Sequence, residues 1–248
     1  MPLEPDSTLI SSGNYLVLSG FQVLLGSCLL IFSLLLSLLL RLQLERSMGI
    51  AALRMVVQLL LVGLVMDWIF SRQHPWLILL IAVVMASIAA ASASSRPKRR
   101  YPGIYWKCLI SILASSFLVT GLALTGIFQL QPWFTPQYLI PLLGMVLGNT
   151  LNGISLALDR FLDDLQKQRD LVETRLCLGA SAWEASHDLL RSALRTGLIP
   201  SINSMAVMGV VSLPGMMTGQ ILAGVSPGEA VRYQMVIVFM ITAAATLG

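Results

Sequence analysis

Apolar residues in this chain fall into long runs separated by polar connections. A helix that crosses hydrocarbon needs about 20 mostly apolar residues, because a rise of about 1.5 Å per residue must span a core of about 30 Å. Seven runs meet that length or approach it: 15–40, 50–70, 76–91, 108–130, 138–158, 198–224 and 233–248. The pattern predicts an all-α, polytopic membrane protein of about seven transmembrane helices, forming a single transmembrane domain over 1–248. The first run is too long for the apolar part of a signal peptide and follows the acidic stretch around Glu4 and Asp6, so it reads as a retained span. The last stops without a polar flank, which reads as a cut inside a helix.

Composition strengthens the membrane reading. The chain is 56% hydrophobic and 11% charged, with mean hydropathy +0.81, whereas soluble domains carry about 25% charged residues. A soluble enzyme is excluded, and so is a nucleic-acid binder, because the net charge of +4 has no folded basic surface to carry it. The basic residues instead report orientation. Connections 41–49, 92–107 and 159–197 hold thirteen Lys and Arg, against only Arg72 and Arg232 in 71–75, 131–137 and 225–232. That alternation places the N-terminus outside and the C-terminus in the cytoplasm, as expected for a multi-pass protein of the plasma (inner) membrane. Cys28, Cys108 and Cys177 are too far apart for a metal knuckle or a disulfide framework and read as small buried side chains.

Polar residues inside the runs are candidates for function, here for a substrate path lined by the second, fifth and sixth spans. Arg54 and Gln58 are four apart on one helical face. Arg54 either snorkels to the interface or acts with Gln58, which is deeper and needs a partner across a helix interface. Asp67, near the outer end, reads as interfacial. In the fifth run Gly144 and Gly148 form a small-xxx-small ridge, and Asn149 and Asn152 share a face beside it. Asn149 and Gln58 both sit ~12–14 Å from the cytoplasmic end of their helices, close to the midplane. In the sixth run Pro214-Gly215 predicts a kink or break, tolerated in lipid only where protein or a water-filled cavity satisfies the backbone. Met216, Met217, Thr218 and Gln220 are therefore expected to face a cavity. The sulfurs of Met216 and Met217 suit Cu(I) better than iron, although gap-filling in a helix interface is the plainer use of methionine. No strong metal site is legible and the metal ligands stay unknown: His74 stands alone, and Glu184, His187, Asp188 and Arg191 read as decoration on an exposed helix face.

The connection 159–197 is too long for a turn and mixes acidic with basic residues, so it predicts a folded cytoplasmic segment of two helices and a turn. Asp163, Asp164 and Lys167 offer helical pairs. Gly179, followed by Ala180 and Ser181, ends one helix, and Ser181 caps a second through Trp183, Ala185, Leu189 and Leu190. A docking surface is one reason for such order; an amphipathic helix lying on lipid is the other.

Glu173, Gly179 and Leu198-Ile199-Pro200 resemble the EAA loop of ABC transporter permeases. More specifically, Val211-Ser212-Leu213-Pro214-Gly215-Met216-Met217-Thr218-Gly219-Gln220, then Leu222-Ala223-Gly224, Ser226-Pro227 and Tyr233-Gln234, closely resemble the FetB-like family of ABC permeases. So do Arg54-x-x-x-Gln58, Pro141-x-x-Gly144-Met145-x-x-Gly148-Asn149 and Leu176-x-Leu178-Gly179-Ala180. The resemblance covers roughly residues 45–245. It implies the membrane half of an ATP-driven exporter associated with iron efflux and oxidative-stress resistance, with plant relatives linked to aluminium tolerance and nucleotide-sugar export. It also implies a homodimer partnered by ATPase subunits that dock on Glu173, Gly179, Ala180, Ser181 and Trp183. No Gly-x-x-x-x-Gly-Lys-Ser/Thr stretch is present, so no cofactor is expected on this chain, and ATP with Mg2+ is used by the partner ATPase. The family continues past its last helix into a basic tail, which this sequence does not contain. A different cargo, a non-ABC channel and a secondary transporter remain alternatives. An intramembrane enzyme would need paired carboxylates or clustered histidines, and Asp67 is the only acidic residue within the runs.

Overall fold

The computed structural model describes residues 20–72, 74–132 and 134–248. The start of the first expected run, 15–19, and the side chain of Asp67 lie outside the described residues. The described chain is helical throughout: α1 (Gly20–Leu39), α2 (Glu45–Arg72), α3 (Pro75–Ser95), α4 (Ile104–Leu122) running into a π-helical turn (Ala123–Ile127), α5 (Pro136–Lys167), α6 (Arg169–Cys177), α7 (Ala182–Val207), α8 (Gly215–Leu222) and α9 (Pro227–Leu247). Among the described residues the only β pairing is an isolated bridge between Met208 and Ser212. Among the described residues six helices are long and apolar enough to cross a membrane: α1, α2, α3, α4 with its π turn, α5 and α9.

The chain divides into two compact units. The first comprises residues up to 72 together with 220–225. Here α1 packs on α2, and the turn between them takes positive φ at Arg41 and Gln43. Buried Ser37 donates to Glu45 Oε1 at 3.1 Å, tying the end of α1 to the first turn of α2. Outward leucines such as Leu29 and Leu64 are mostly exposed, as expected where lipid is the solvent.

The second unit holds 73–219 and 226–248, and α5 is its axis, packing against α3, α4, α7 and α9. Small residues make the approach close: Ala82, Ala86, Ala89, Ala90 and Ala93 are buried along α3. Val119, Ala123, Val146, Met240 and Ala244 form a core cluster shared by α4, α5 and α9. With 32 residues, α5 measures ~48 Å, well beyond the ~30 Å of hydrocarbon. Its last turns are charged rather than apolar, with Arg160–Asp164 and Lys167–Asp163 pairs at 2.7 and 2.6 Å.

The sixth expected run, 198–224, is not one helix. Pro200, near its expected start, lies inside α7, which runs unbroken from the cap at Ser181 to Val207. The break comes later, over 208–214, and Gly215 opens the short α8. The physical reason is the face that α7 buries: Ala185, Leu189, Ala193 and Gly197 recur every four residues and pack on α5, continuing past the point where hydropathy changes. The expected fifth span likewise extends into 159–167, so only α6 and the turn 178–181 lie wholly within the expected segment 159–197.

Candidate functional site

Two adjoining cavities open where α7 stops. The first, about 200 Å³, is lined by Met145 and Asn149 of α5, Ser201 and Ser204 of α7, Met208 and Pro214 of the break, Gly215 and Met216 of α8, and Gln234 and Thr242 among others of α9. The second, about 430 Å³, takes Met205, Met217 and Met235 and shares Met208, Pro214, Gln234 and Val238 with the first. A run of seven non-helical residues between α7 and α8 creates this space, because no continuous helix fills it.

Of the residues expected on a path, Asn149, Pro214, Gly215 and Met216 line the first cavity, and Met217 lines the second. Asn149 donates to Met145 O of its own helix at 2.8 Å, leaving its amide oxygen as an acceptor. Asn152 does not line either cavity; it accepts from Arg96 Nη1 at 2.6 Å. With Lys98 N donating to Asp159 Oδ1 at 3.0 Å, that bond ties the α3–α4 connection to α5. Gln220, towards the end of α8, accepts at its backbone oxygen from Val225 N. Arg54 and Gln58 stand on α2 of the first unit, both exposed and one turn apart.

The sequence reading quoted Gln234 only for the family resemblance and did not place it among the site residues. It is 7% exposed, and its Oε1 is buried without a hydrogen-bond partner. A glutamine in an apolar run carries the same signal that singled out Gln58. Thr242 was missed as well; its hydroxyl bonds Val238 O and comes within 3.6 Å of Met205 Sδ.

Small residues on α5 and α7 set the second feature. A Cβ on Gly197 would stand 2.7 Å from Gly153 O and 2.9 Å from Ala157 Cβ, so the two backbones touch here. The expected Gly144–Gly148 ridge meets only the tip of Met85 at Gly144, and a Cβ on Gly148, Gly215 or Gly219 meets nothing within 4 Å.

The third feature is the α6–α7 turn. Gly179 has φ +93°, and its N–H bonds Leu176 O while Ala180 N–H bonds Arg175 O, the paired C-terminal closure that favours glycine. Ser181 then caps α7: its hydroxyl accepts from Glu184 N at 3.3 Å, and its own N–H donates to Glu184 Oε2 at 2.8 Å. Arg175 reaches from α6 to Asp188 Oδ2 and Ala185 O, holding the two helices together. Glu173 pairs with Arg169 at 2.7 Å. These bonds leave two large apolar side chains outside: Leu178 is 84% and Trp183 63% exposed.

The Ser181 N–H, and secondarily its hydroxyl, hold the Glu184 carboxyl below its ordinary value. A depressed folded pKa means a stabilising contribution that is complete above the ordinary carboxylate range and lost as pH falls through the lowered value. Ser181→Ala is therefore expected to speed amide exchange in the first turn of α7 about fivefold at neutral pH. Glu184→Gln should remove the loss of protection, measured relative to the intrinsic exchange rate, that the wild type shows as pH falls through the Glu184 pKa; wild-type protection factors that stay constant over that range would contradict the assignment.

The chain matches the family described as "Uncharacterised protein family (UPF0014)" over residues 20–248. It belongs to the UPF0014 family. This UPF0014 chain is 43% identical over 194 residues to a UPF0014 membrane protein of Synechocystis, covering 78% of this chain and 75% of that one. It is 35% identical to Protein ALUMINUM SENSITIVE 3 of Arabidopsis thaliana, covering 83% and 74% of the two chains. With the Escherichia coli protein named "Probable iron export permease protein FetB" it shares 31% identity over 84% of this chain and 78% of that one. No solved structure matches. Family and helices together make it a multi-pass membrane protein.

Proposed function

We propose that this chain is the membrane permease subunit of an ATP-driven ABC exporter of metal ions, with iron, the cargo in the name of the Escherichia coli relative, as the first to test. The observation that carries this reading is the continuity of α7. The helix starts at the capped turn with exposed Leu178 and Trp183, is gripped by α5 at Gly197, and ends at the methionine-lined cavities. Its 26 residues make a rod of ~39 Å, long enough to carry a displacement from a docking site to a cargo site. Thirteen basic residues in three connections favour the turn lying on the cytoplasmic side, where ATP is available. A nucleotide-binding subunit docks on the turn between α6 and α7, hydrolyses ATP with Mg2+, and moves α7 against the break at Pro214-Gly215. The assembly is a homodimer of this chain with two ATPase subunits in the plasma (inner) membrane.

The test is reconstitution in liposomes with the nucleotide-binding subunit, titrating Fe2+, other metals and UDP-glucose while ATP hydrolysis and uptake are followed. Metal-stimulated hydrolysis with ATP-dependent transport is expected. Stimulation by UDP-glucose alone would move the reading to nucleotide-sugar export. Ion flux without ATP or partner would overturn it in favour of a channel or secondary transporter.

A further inference from the structure

The two cavities at the end of α7 are built from an unusual donor set. Six of the twelve methionines in the chain, Met145, Met205, Met208, Met216, Met217 and Met235, surround them. Met235 is at the exposed rim and the other five are half-buried. Methionine that merely fills gaps leaves little space, since interiors are close-packed. Here the thioethers border open volumes of about 200 and 430 Å³.

From this geometry we infer that the paired cavities bind a soft monovalent cation of the Cu(I) or Ag(I) class, held by thioether sulfurs with Gln234 Oε1 as an oxygen donor. General ligand chemistry and two features of the chain support the assignment. Thioether is a soft, neutral ligand that selects Cu(I) over hard and borderline ions. Among the described residues no group of three or more His, Cys, Asp and Glu could hold a metal, so the imidazole, thiolate and carboxylate donors that divalent iron or zinc prefers are missing here. The cost of moving an ion out of water grows with the square of its charge, and a neutral donor set suits one positive charge better than two. Gln234 supplies the independent sign of a ligand: the residue lines both cavities, and its carbonyl oxygen is buried beside them with no partner, a costly arrangement that a turn of the side chain toward a bound cation would relieve. Met216 and Met217 stand in the first turn of α8, directly after the break at Pro214, and their unbranched side chains can close on the ion and release it by rotamer change.

The inference deepens the permease reading and rests on it for the claim that the bound ion is cargo; binding itself is testable without transport. Full-length chain in detergent, labelled with 13C at the methionine methyls, is titrated with Ag(I), and in parallel anaerobically with Fe(II). This readout reports methionine sulfur directly, so silver taken up by Cys28, Cys108 or Cys177 is not mistaken for the site. Saturable shifts at Met145, Met205, Met208, Met216 and Met217 are expected, with Met48 and Met55 unmoved. In the Met208→Leu/Met216→Leu variant, whose near-equal volumes preserve packing, the remaining cavity methionines should need at least tenfold more Ag(I). Methyl shifts absent from the cavity, silver held by cysteines alone, unchanged affinity in the variant, or perturbation by Fe(II) at lower concentration than Ag(I) would each overturn the inference. ATP-dependent Fe2+ transport without Ag(I) binding would defeat this inference and leave the permease reading intact. Ag(I) binding with no ATP-dependent transport would do the reverse.

Discussion

Gly197→Val is expected to destabilise the second unit more than any other single change at its glycines. Even a Cβ at Gly197 stands 2.7 Å from Gly153 O and 2.9 Å from Ala157 Cβ, and neither a carbonyl nor a helix-borne methyl group can swing aside. Valine adds two further methyls, so α7 must lift off α5 along the face formed by Ala185, Leu189, Ala193 and Gly197. Overpacking costs about 1–3 kcal/mol when neighbours can give a little, and here the neighbours are backbone, which places the change at the upper end. The expected result is loss of the monodisperse folded protein in detergent or a large fall in its unfolding temperature. Two comparisons grade the effect. Gly153→Ala places its Cβ 3.3 Å from Gly197 O and 3.7 Å from Ala245 Cβ, so a smaller loss is expected. Gly148→Ala meets nothing within 4 Å and should be neutral or gain up to about 1 kcal/mol from helix propensity. Equal stability of the three variants would show that the α5–α7 contact is not a close crossing.

The same crossing explains what could and could not be read from the sequence. The apolar runs behind α1 to α5 and α9 were legible, because length and hydropathy are local properties that lipid enforces residue by residue. The boundaries of α7 were not. Arg191 and Arg195 interrupt its apolar character, Pro200 looks like a start, and only the buried face against α5 shows that a single helix passes through all three. The break at 208–214 was foreshadowed by Pro214-Gly215, since proline and glycine act locally. The partner of Gly197 was hidden: small residues four apart are visible on one helix at Gly144 and Gly148, whereas Gly153 and Gly197 lie on different helices and nothing in either neighbourhood names the other. The cavity is a mixed case. Asn149, Met216 and Met217 stood out as polar or sulfur-bearing residues near a predicted break, but Met205, Met208, Gln234 and Thr242 enter through packing of α7 and α9 that periodicity does not encode.

The second large effect is expected at the opposite end of α7. On the permease reading, Leu178→Asp/Trp183→Asp should abolish recruitment of the ATPase subunit while leaving the membrane domain folded. Both side chains are mostly exposed in the isolated chain, at 84% and 63%, so their replacement should change its own stability by no more than about 0.5 kcal/mol. Buried tryptophans at interfaces commonly contribute 2 kcal/mol or more, which corresponds to roughly 30-fold in affinity for Trp183 alone. Aspartates in the same pocket would add the cost of stripping water from a charge, so the double variant should lose the partner altogether in pull-down and show no cargo-stimulated ATP hydrolysis. Gly179→Ala separates surface from shape. It leaves Leu178 and Trp183 in place but forces an alanine to hold φ +93°, at a cost of about 1–2 kcal/mol. Its expected signature is faster amide exchange in α6 and the first turn of α7, with a weaker but measurable ATPase complex. Should the aspartate pair keep wild-type affinity for the nucleotide-binding subunit, the turn would not be the docking surface. The rod would then have nothing to receive at that end, and on the permease reading the movement driven by ATP hydrolysis would have to enter the chain elsewhere.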